Sequence, residues 1–268
     1  MPATALPGWP HKVAGGGAPC HPAAFRAGQR RLAFAEGVNV FPKHLARGVP
    51  LRLSARVAGM RPLDGRVEIS FEDGETLHAR HVVLTVPPRQ AQAVLPHEHG
   101  RELRAVDALF EHVVTAPCIT VSLGFPTSAP LPDFDILYPD DSSLVQLIAH
   151  DSAKRVDPSY RVLVVQGRAA WSVAHLEDSR DVWRAALIEE AARQVGAWVR
   201  EPAWVDVQRW RFAKLVLSTE MSAPLVFGLP GGAQLGLAGE AFTIEAGVQG
   251  AWRSGRGVAR RLLADRDA

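Results

Sequence analysis

Cysteine is nearly absent: Cys20 and Cys118 are the only two. They offer no metal-ligand spacing and no disulfide framework, which suits a reducing compartment and leads us to expect a cytoplasmic protein. The start, MPATALPGWPHK, has no charged region followed by an apolar run, so it does not read as a signal peptide. No stretch approaches about 18 consecutive apolar residues, so no membrane span is expected. Charge of one sign is not in excess either, with 30 Lys and Arg against 28 Asp and Glu. Without a basic block there is no electrostatic footprint for nucleic acid. There is no G-x-S-x-G elbow, Walker loop or zincin motif. The Asp133, Asp135, Asp140 and Asp141 charges lack the spacing of a calcium loop. His97, Glu98 and His99 sit close together, but no third ligand is placed by spacing, so they read as a solvated loop and no metal is expected. Internal repeats and low-complexity segments are missing too.

What remains is ordinary globular composition. The chain has 268 residues, 47% of them hydrophobic and 22% charged, enough for one or two domains with a core. Residues 1–30 are rich in Pro, Gly and Ala and read as loop, with 31–35 a short strand. A short helix is expected over 37–47, with Val38, Phe41 and Leu45 on one side. An alternating half-buried strand is expected over 49–57. Strands over 67–71 and 76–79 flank Asp73-Gly74, a hairpin signal. The run HVVLTV (81–86) reads as a strand covered on both faces, and Pro87-Pro88 stops it and opens a helix. Further on come a helix over 98–110, a strand over 118–125, a turn-rich stretch over 126–139, strands over 144–149 and 162–167, a long helix over 178–199, and a strand over 204–217.

The most informative stretch is GLAGEAFTIEAGVQGAWRSGRGVARRLL, residues 236–263. It reads as strand, loop, helix. Leu235, Leu237 and Ala238 form the strand, which ends at Gly239-Glu240. A loop follows from Ala241 to Ala246. Val248, Ala251, Trp252, Gly255, Val258, Ala259, Leu262 and Leu263 then recur at helical spacing on one expected apolar face. The helix opens with Gly247, Gly250, Ala251, Ser254 and Gly255, nearly bare of side chains. A glycine inside a helix costs about 1 kcal/mol relative to alanine, so these need a reason. One reason is close approach of a negatively charged ligand to unpaired N–H groups at the positive end of the helix dipole. The other is close packing of helix on sheet. Glu240 reads either as a ligand contact or as a capping or solvated carboxylate.

The pattern LAGE…GVQGAWRSGRGVARRLL resembles the C-terminal FAD-binding motif of the flavin amine oxidase superfamily, most closely its bacterial renalase-like branch. GVNVFPKHLARGVPLRLSARVAGM, ARHVVLTVPPRQAQAVL, VQGRAAWSVAHLEDSRDVWRAALIEEA and VQRWRFAKL resemble further pieces in the same order, so that the likeness runs from Phe34 to Leu263. It implies FAD as cofactor and an α/β fold, α+β in the substrate part: an incomplete FAD/NAD(P)-binding Rossmann-like domain with an inserted antiparallel-sheet substrate domain. The expected division is 1–36 as a loop-rich part of the substrate domain, 37–90 with 232–268 as the FAD-binding half-domain, and 91–231 as the substrate domain. The family's opening βαβ unit with G-x-G-x-x-G is not found in this sequence; Gly15-Gly16-Gly17 reads as a flexible loop.

Residue by residue, the resemblance places Val57 near adenine, and Thr85 and Pro87 near the dinucleotide. It places Gly239, Glu240, Gly247, Val248, Gly250 and Ala251 along the flavin and pyrophosphate, with Glu240 on the ribityl or phosphate region. Val57 reads equally as core. Trp171, Trp210 and Phe212 are candidates for the substrate-side wall, or else core aromatics. Lys214 is a candidate water-linked base, or else a solvated charge. The implied reaction is hydride transfer from an amine or a reduced nicotinamide-type compound to FAD and then oxygen, with a small molecule as partner. The alternative is a non-catalytic remnant or fragment that needs a second chain, or a dimer, to complete the dinucleotide site.

Overall fold

The computed structural model describes residues 5–7, 9–15, 32–96, 101–217, 223–244 and 247–264. Cys20, and the His97, Glu98 and His99 group, lie outside the described residues. The strands in chain order are β1 (Ala5–Pro7), β2 (Val13–Gly15), β3 (Leu32–Phe34), β4 (Val57–Leu63), β5 (Arg66–Phe71), β6 (Thr76–Ala79) and β7 (His81–Leu84). They continue with β8 (Val114–Phe125), β9 (Ile136–Tyr138), β10 (Val145–His150), β11 (Arg161–Gly167), β12 (Trp204–Leu217), β13 (Leu225–Gly228) and β14 (Gln234–Leu237). The helices are α1 (Val40–Leu45), α2 (Pro88–Gln92), α3 (Arg101–Glu111), α4 (Ala169–Ala174), α5 (Arg180–Val195) and α6 (Gly247–Ala264). This is a mixed α/β chain with several sheets, and it divides into two compact units.

The first unit comprises 1–51 and 116–213. Its six-stranded sheet has the order β12-β8-β11-β10-β9-β2. Strands β8, β11, β10 and β9 pair antiparallel, and β2 joins β9 in parallel. Helix α5 covers one face. Ile119, Val121, Leu123, Leu163 and Val165 meet Trp183, Leu187 and Ala191 there, all buried. The helix starts where Ser179 Oγ accepts the Val182 N–H at 3.4 Å, satisfying one of the unpaired donors of its first turn. It stops at Gly196, whose φ of 138° suits glycine.

The second unit comprises 52–115 and 214–268. It holds the antiparallel sheet β4-β5-β6 and the sheet β13-β14-β7, in which β14 and β7 run parallel and β13 antiparallel. One core serves both sheets, built on Val67, Ile69, Phe71, Phe110, Leu235, Leu237 and Phe242.

Several expectations change. Residues 1–30 contain two short strands, β1 paired with β3 and β2 paired with β9. Composition hides them because each rests on a partner distant in sequence. The alternating stretch 49–57 is not a strand. Leu51 and Leu53 are 64% and 81% exposed, and pairing begins only at Val57. Alternation marks a strand only when a neighbour completes its hydrogen bonds, and the strand here is β4, turned back onto β5 at Asp64-Gly65 with Gly65 at φ 72°. The turn-rich stretch contains β9, paired with β10. Strand β7 is not buried on both faces, for Val83 is 41% exposed. No helix among the described residues is long and apolar enough to cross a membrane.

Candidate functional site

Within the second unit, β7 and β14 end side by side. Their register pairs Leu84 with Leu237, and the Ala238 N–H extends the ladder to the Leu84 carbonyl at 3.0 Å. Crevices outside the carboxyl ends of parallel strands are where α/β sheets hold ligands. Two turns leave this edge. One is Thr85-Val86-Pro87, which opens α2 at Pro88. The other is Gly239-Glu240, where Gly239 takes φ 134°, a conformation open to glycine alone. A side chain added at Gly239 would lie 3.5 Å from the Thr85 carbonyl oxygen, so the two turns are immediate neighbours.

Helix α6 then runs back along β14. Gly236 lies against Val258: a Cβ on Gly236 would stand 2.6 Å from Val258 Cγ1. One helical turn earlier, Ser254 Oγ accepts the Gly239 N–H at 3.2 Å. At the helix start, Glu240 Oε1 accepts the Gly247 N–H at 3.0 Å. The turn is thus tied to the helix at two points. Gly247 itself takes φ 81°.

The buried side of α6 carries Gly250, Ser254, Val258 and Leu262. Val248 and Trp252, expected on the apolar face, are 58% and 40% exposed. In the first turns the small Gly250 and Ser254 take the buried side in place of Val248 and Trp252, and the same stripe continues into Val258 and Leu262. Gly236 and Gly257 serve close packing, since a Cβ on Gly257 would meet Pro224 at 2.8 Å. Among the described residues nothing lies within 4 Å of a Cβ built on Gly247 or Gly255; Gly247 calls for glycine through its φ of 81°, while no contact accounts for Gly255.

The first-turn N–H groups of Val248 and Gln249 precede the first i−4 hydrogen bond of the helix. Together with the open space beside Gly247 and Gly255, they fit the negatively charged, elongated form of a dinucleotide. Glu240 sets a limit on that fit. Its carboxylate already supplies negative charge at the helix start, so its remaining acceptor capacity suits a hydroxyl better than a phosphate oxygen.

The structure brings Thr85, Gly239, Glu240 and Gly247 together, with Pro87 in the adjoining turn and Val248, Gly250 and Ala251 on the first turns of α6. Val57 opens β4 opposite Phe71 and packs on the core of the second unit. In the first unit, Trp171 is half-buried against the core beneath α5, with its ring 4.9 Å from that of His175. Val205 and Val207 of β12 join that same core, and Arg209 and Arg211 pair with Glu177 beyond it. Alternation along the strand therefore turns Trp210 and Phe212 to the opposite face, so Trp171 and Trp210 do not form one wall. Trp210 is 52% exposed. Lys214 is exposed on β12. Among the described residues no three His, Cys, Asp or Glu side chains gather as metal ligands. Ser254 escaped the sequence reading, where it counted only as a small residue. The available signal was its place four residues after Gly250 and four before Val258, a polar group on the buried spacing.

The family model for flavin-containing amine oxidoreductases matches residues 16–263. Among solved structures, a provisionally assigned protoporphyrinogen oxidase from Exiguobacterium sp. 255-15 is similar over 90% of this chain and 53% of its own, with 18% identity and a TM-score of 0.66. A putrescine oxidase is similar over 88% of this chain and 54% of its own, with 17% identity and a TM-score of 0.65. Cyclohexylamine oxidase from Brevibacterium oxydans IH-35A is similar over 87% and 53%, with 13% identity and a TM-score of 0.60. At these identities the likeness is one of fold. The chain spans about half the length of the solved structures it matches.

Proposed function

The chain belongs to the flavin-containing amine oxidoreductase family, and on that premise we propose that it is an FAD-dependent oxidoreductase acting on a small amine or a reduced nicotinamide-type compound. FAD, held by these residues, would supply two-electron redox chemistry between the substrate and oxygen. The chain's own residues bind and orient. The observation that carries the reading is the strand–turn–helix Gln234–Ala264, with its turn tied by Ser254 and Glu240 and with unfilled space along Gly247 and Gly255. The N–H groups of Val248 and Gln249 would meet the charged or carbonyl oxygens of the cofactor, and Gly250 and Ala251 would border it. The second oxygen of Glu240 would accept a ribityl hydroxyl. Thr85 and Pro87 would border the cofactor from the neighbouring turn. Strand β12 would contribute to substrate recognition, with Trp210 and Phe212 as candidate aromatic contacts and Lys214, further along the strand, as a candidate base.

The test is the visible absorption spectrum of the purified chain after incubation with FAD and removal of free cofactor. A retained flavin spectrum is expected; a colourless protein refutes autonomous cofactor binding. One observation favours a second reading, in which another polypeptide completes the site. Val38, Leu45, Val49 and Leu51 leave a run of aliphatic side chains exposed, and α1 buries none of its residues. Uncovered apolar stretches of this kind accompany protein interfaces. In that case flavin is retained only when the completing chain is present.

A further inference from the structure

Helix α6 buries one polar side chain among its four core positions. Ser254 is 3% exposed, between Gly250 and Val258 on the side facing β14. A serine there gains no apolar burial, and it is a poorer helix former than alanine. Its hydroxyl has a specific partner in the Gly239 N–H at 3.2 Å. That N–H stands one residue beyond the last ladder bond of β14, the one from Ala238 to Leu84. Strand pairing therefore no longer holds it, and the helix takes over.

The residue so held is the one that most needs holding. Gly239 takes φ 134°, and a glycine leaving a strand has wide freedom unless something fixes it. Its peptide sets the direction in which Glu240 departs. Glu240 then closes the turn on the Gly247 N–H. A chain of two hydrogen bonds thus runs from Ser254 through Gly239 and Glu240 to the start of α6. The close contact of Gly236 with Val258 brings helix and strand near enough for so short a side chain to reach.

We propose that Ser254 is a positioning residue for the cofactor turn: by accepting the Gly239 N–H it orients Glu240 and the first turn of α6 before the cofactor arrives. It touches no ligand and acts through Gly239. The proposal rests on the FAD reading given above. Binding to a turn already ordered avoids the cost of ordering it at the moment of association.

The experiment compares wild type, Ser254→Ala and Ser254→Thr in the full chain. FAD affinity is read from quenching of flavin fluorescence, and exchange of the Gly239 amide is followed by mass spectrometry over peptides spanning 235–244. The expected result for Ser254→Ala is about fivefold weaker FAD binding, the factor that losing one ordinary hydrogen bond gives. Faster exchange at 235–244 in the cofactor-free protein should accompany it. Ser254→Thr keeps the hydroxyl and is expected to restore both readings towards wild type. Melting of the cofactor-free variants reports whether each folds. If Ser254→Ala folds and binds FAD like wild type, or leaves Gly239 exchange unchanged, the assignment of Ser254 is overturned while the FAD reading stands. If wild type itself binds no FAD, the FAD reading falls and takes this proposal with it.

Discussion

Replacing Gly236 by alanine tests the packing on which the candidate site depends. The added Cβ would stand 2.6 Å from Val258 Cγ1 and 3.4 Å from Val83 Cγ2. The first distance is far inside ordinary contact, and Val258 is 1% exposed with no room to swing away. Overpacking of this kind costs about 1–3 kcal/mol. Against that stands a gain of about 0.4–1 kcal/mol, because alanine has less freedom than glycine to lose on folding. The steric term wins, and a net loss of roughly 1–2 kcal/mol is expected. Val258→Ala removes the methyl groups that clash, at a cost of its own. The double variant should therefore be more stable than the sum of the two singles, by a coupling of about 0.5–3 kcal/mol. Urea unfolding of the four proteins, at unchanged slope with denaturant, measures the cycle. Flavin affinity should fall with Gly236→Ala, because moving α6 away from β14 stretches the Ser254–Gly239 bond. A Gly236→Ala protein as stable as wild type, with no coupling to Val258, would refute the close approach and the reach of Ser254 with it.

Glu240→Ala removes both the acceptor for the Gly247 N–H and the negative charge at the helix start, and should cost about 0.5–2 kcal/mol of stability. Glu240→Gln keeps an acceptor and loses only the charge, so its cost should stay near 0.3–1 kcal/mol; thermal melts of the two variants separate cap from charge. His150 is 6% exposed, and burial, aided by the nearby positive charge of Arg161, holds its imidazole below the ordinary value of 6.5, with Asp135 and Asp151 opposing. Below about pH 6.5 the unfolded chain takes up a proton that the folded chain resists, so stability falls as pH drops through that range, and above it His150 contributes no slope. His150→Gln should lose less of its melting temperature than wild type between about pH 7.5 and 5.5; equal losses would exclude His150 as the cause.

Much of the second unit could be read directly because its signals are local. Asp73-Gly74 turns β5 onto β6, with Gly74 at φ 87°. Pro87-Pro88 ends β7 and opens α2, because proline at the first helical position gives up an N–H that would have been unpaired anyway. The strand–turn–helix from Gln234 to Ala264 was legible for the same reason: a short apolar strand, a glycine and a long helical period follow one another without needing a distant partner. The first unit was harder. Strands β1, β2 and β9 have three residues each, too few to show a period, and each exists through its pairing.

The sequence by itself determined the order of elements around the candidate site and the motif that resembles the family's, since both depend on residues within about one helix length of one another. Tertiary structure decided which side of α6 is buried. The 3.6-residue period defines a stripe, but the packing on β14 places Gly250, Ser254, Val258 and Leu262 in it and leaves Val248 and Trp252 outside. It also decided that Ser254 meets Gly239, a bond across 15 residues whose geometry exists only once the helix lies on the strand. Finally, it put Trp171 and Trp210 on opposite faces of one sheet. A strand alternates its side chains with a period of two, and only the position of α5 says which half of them is covered.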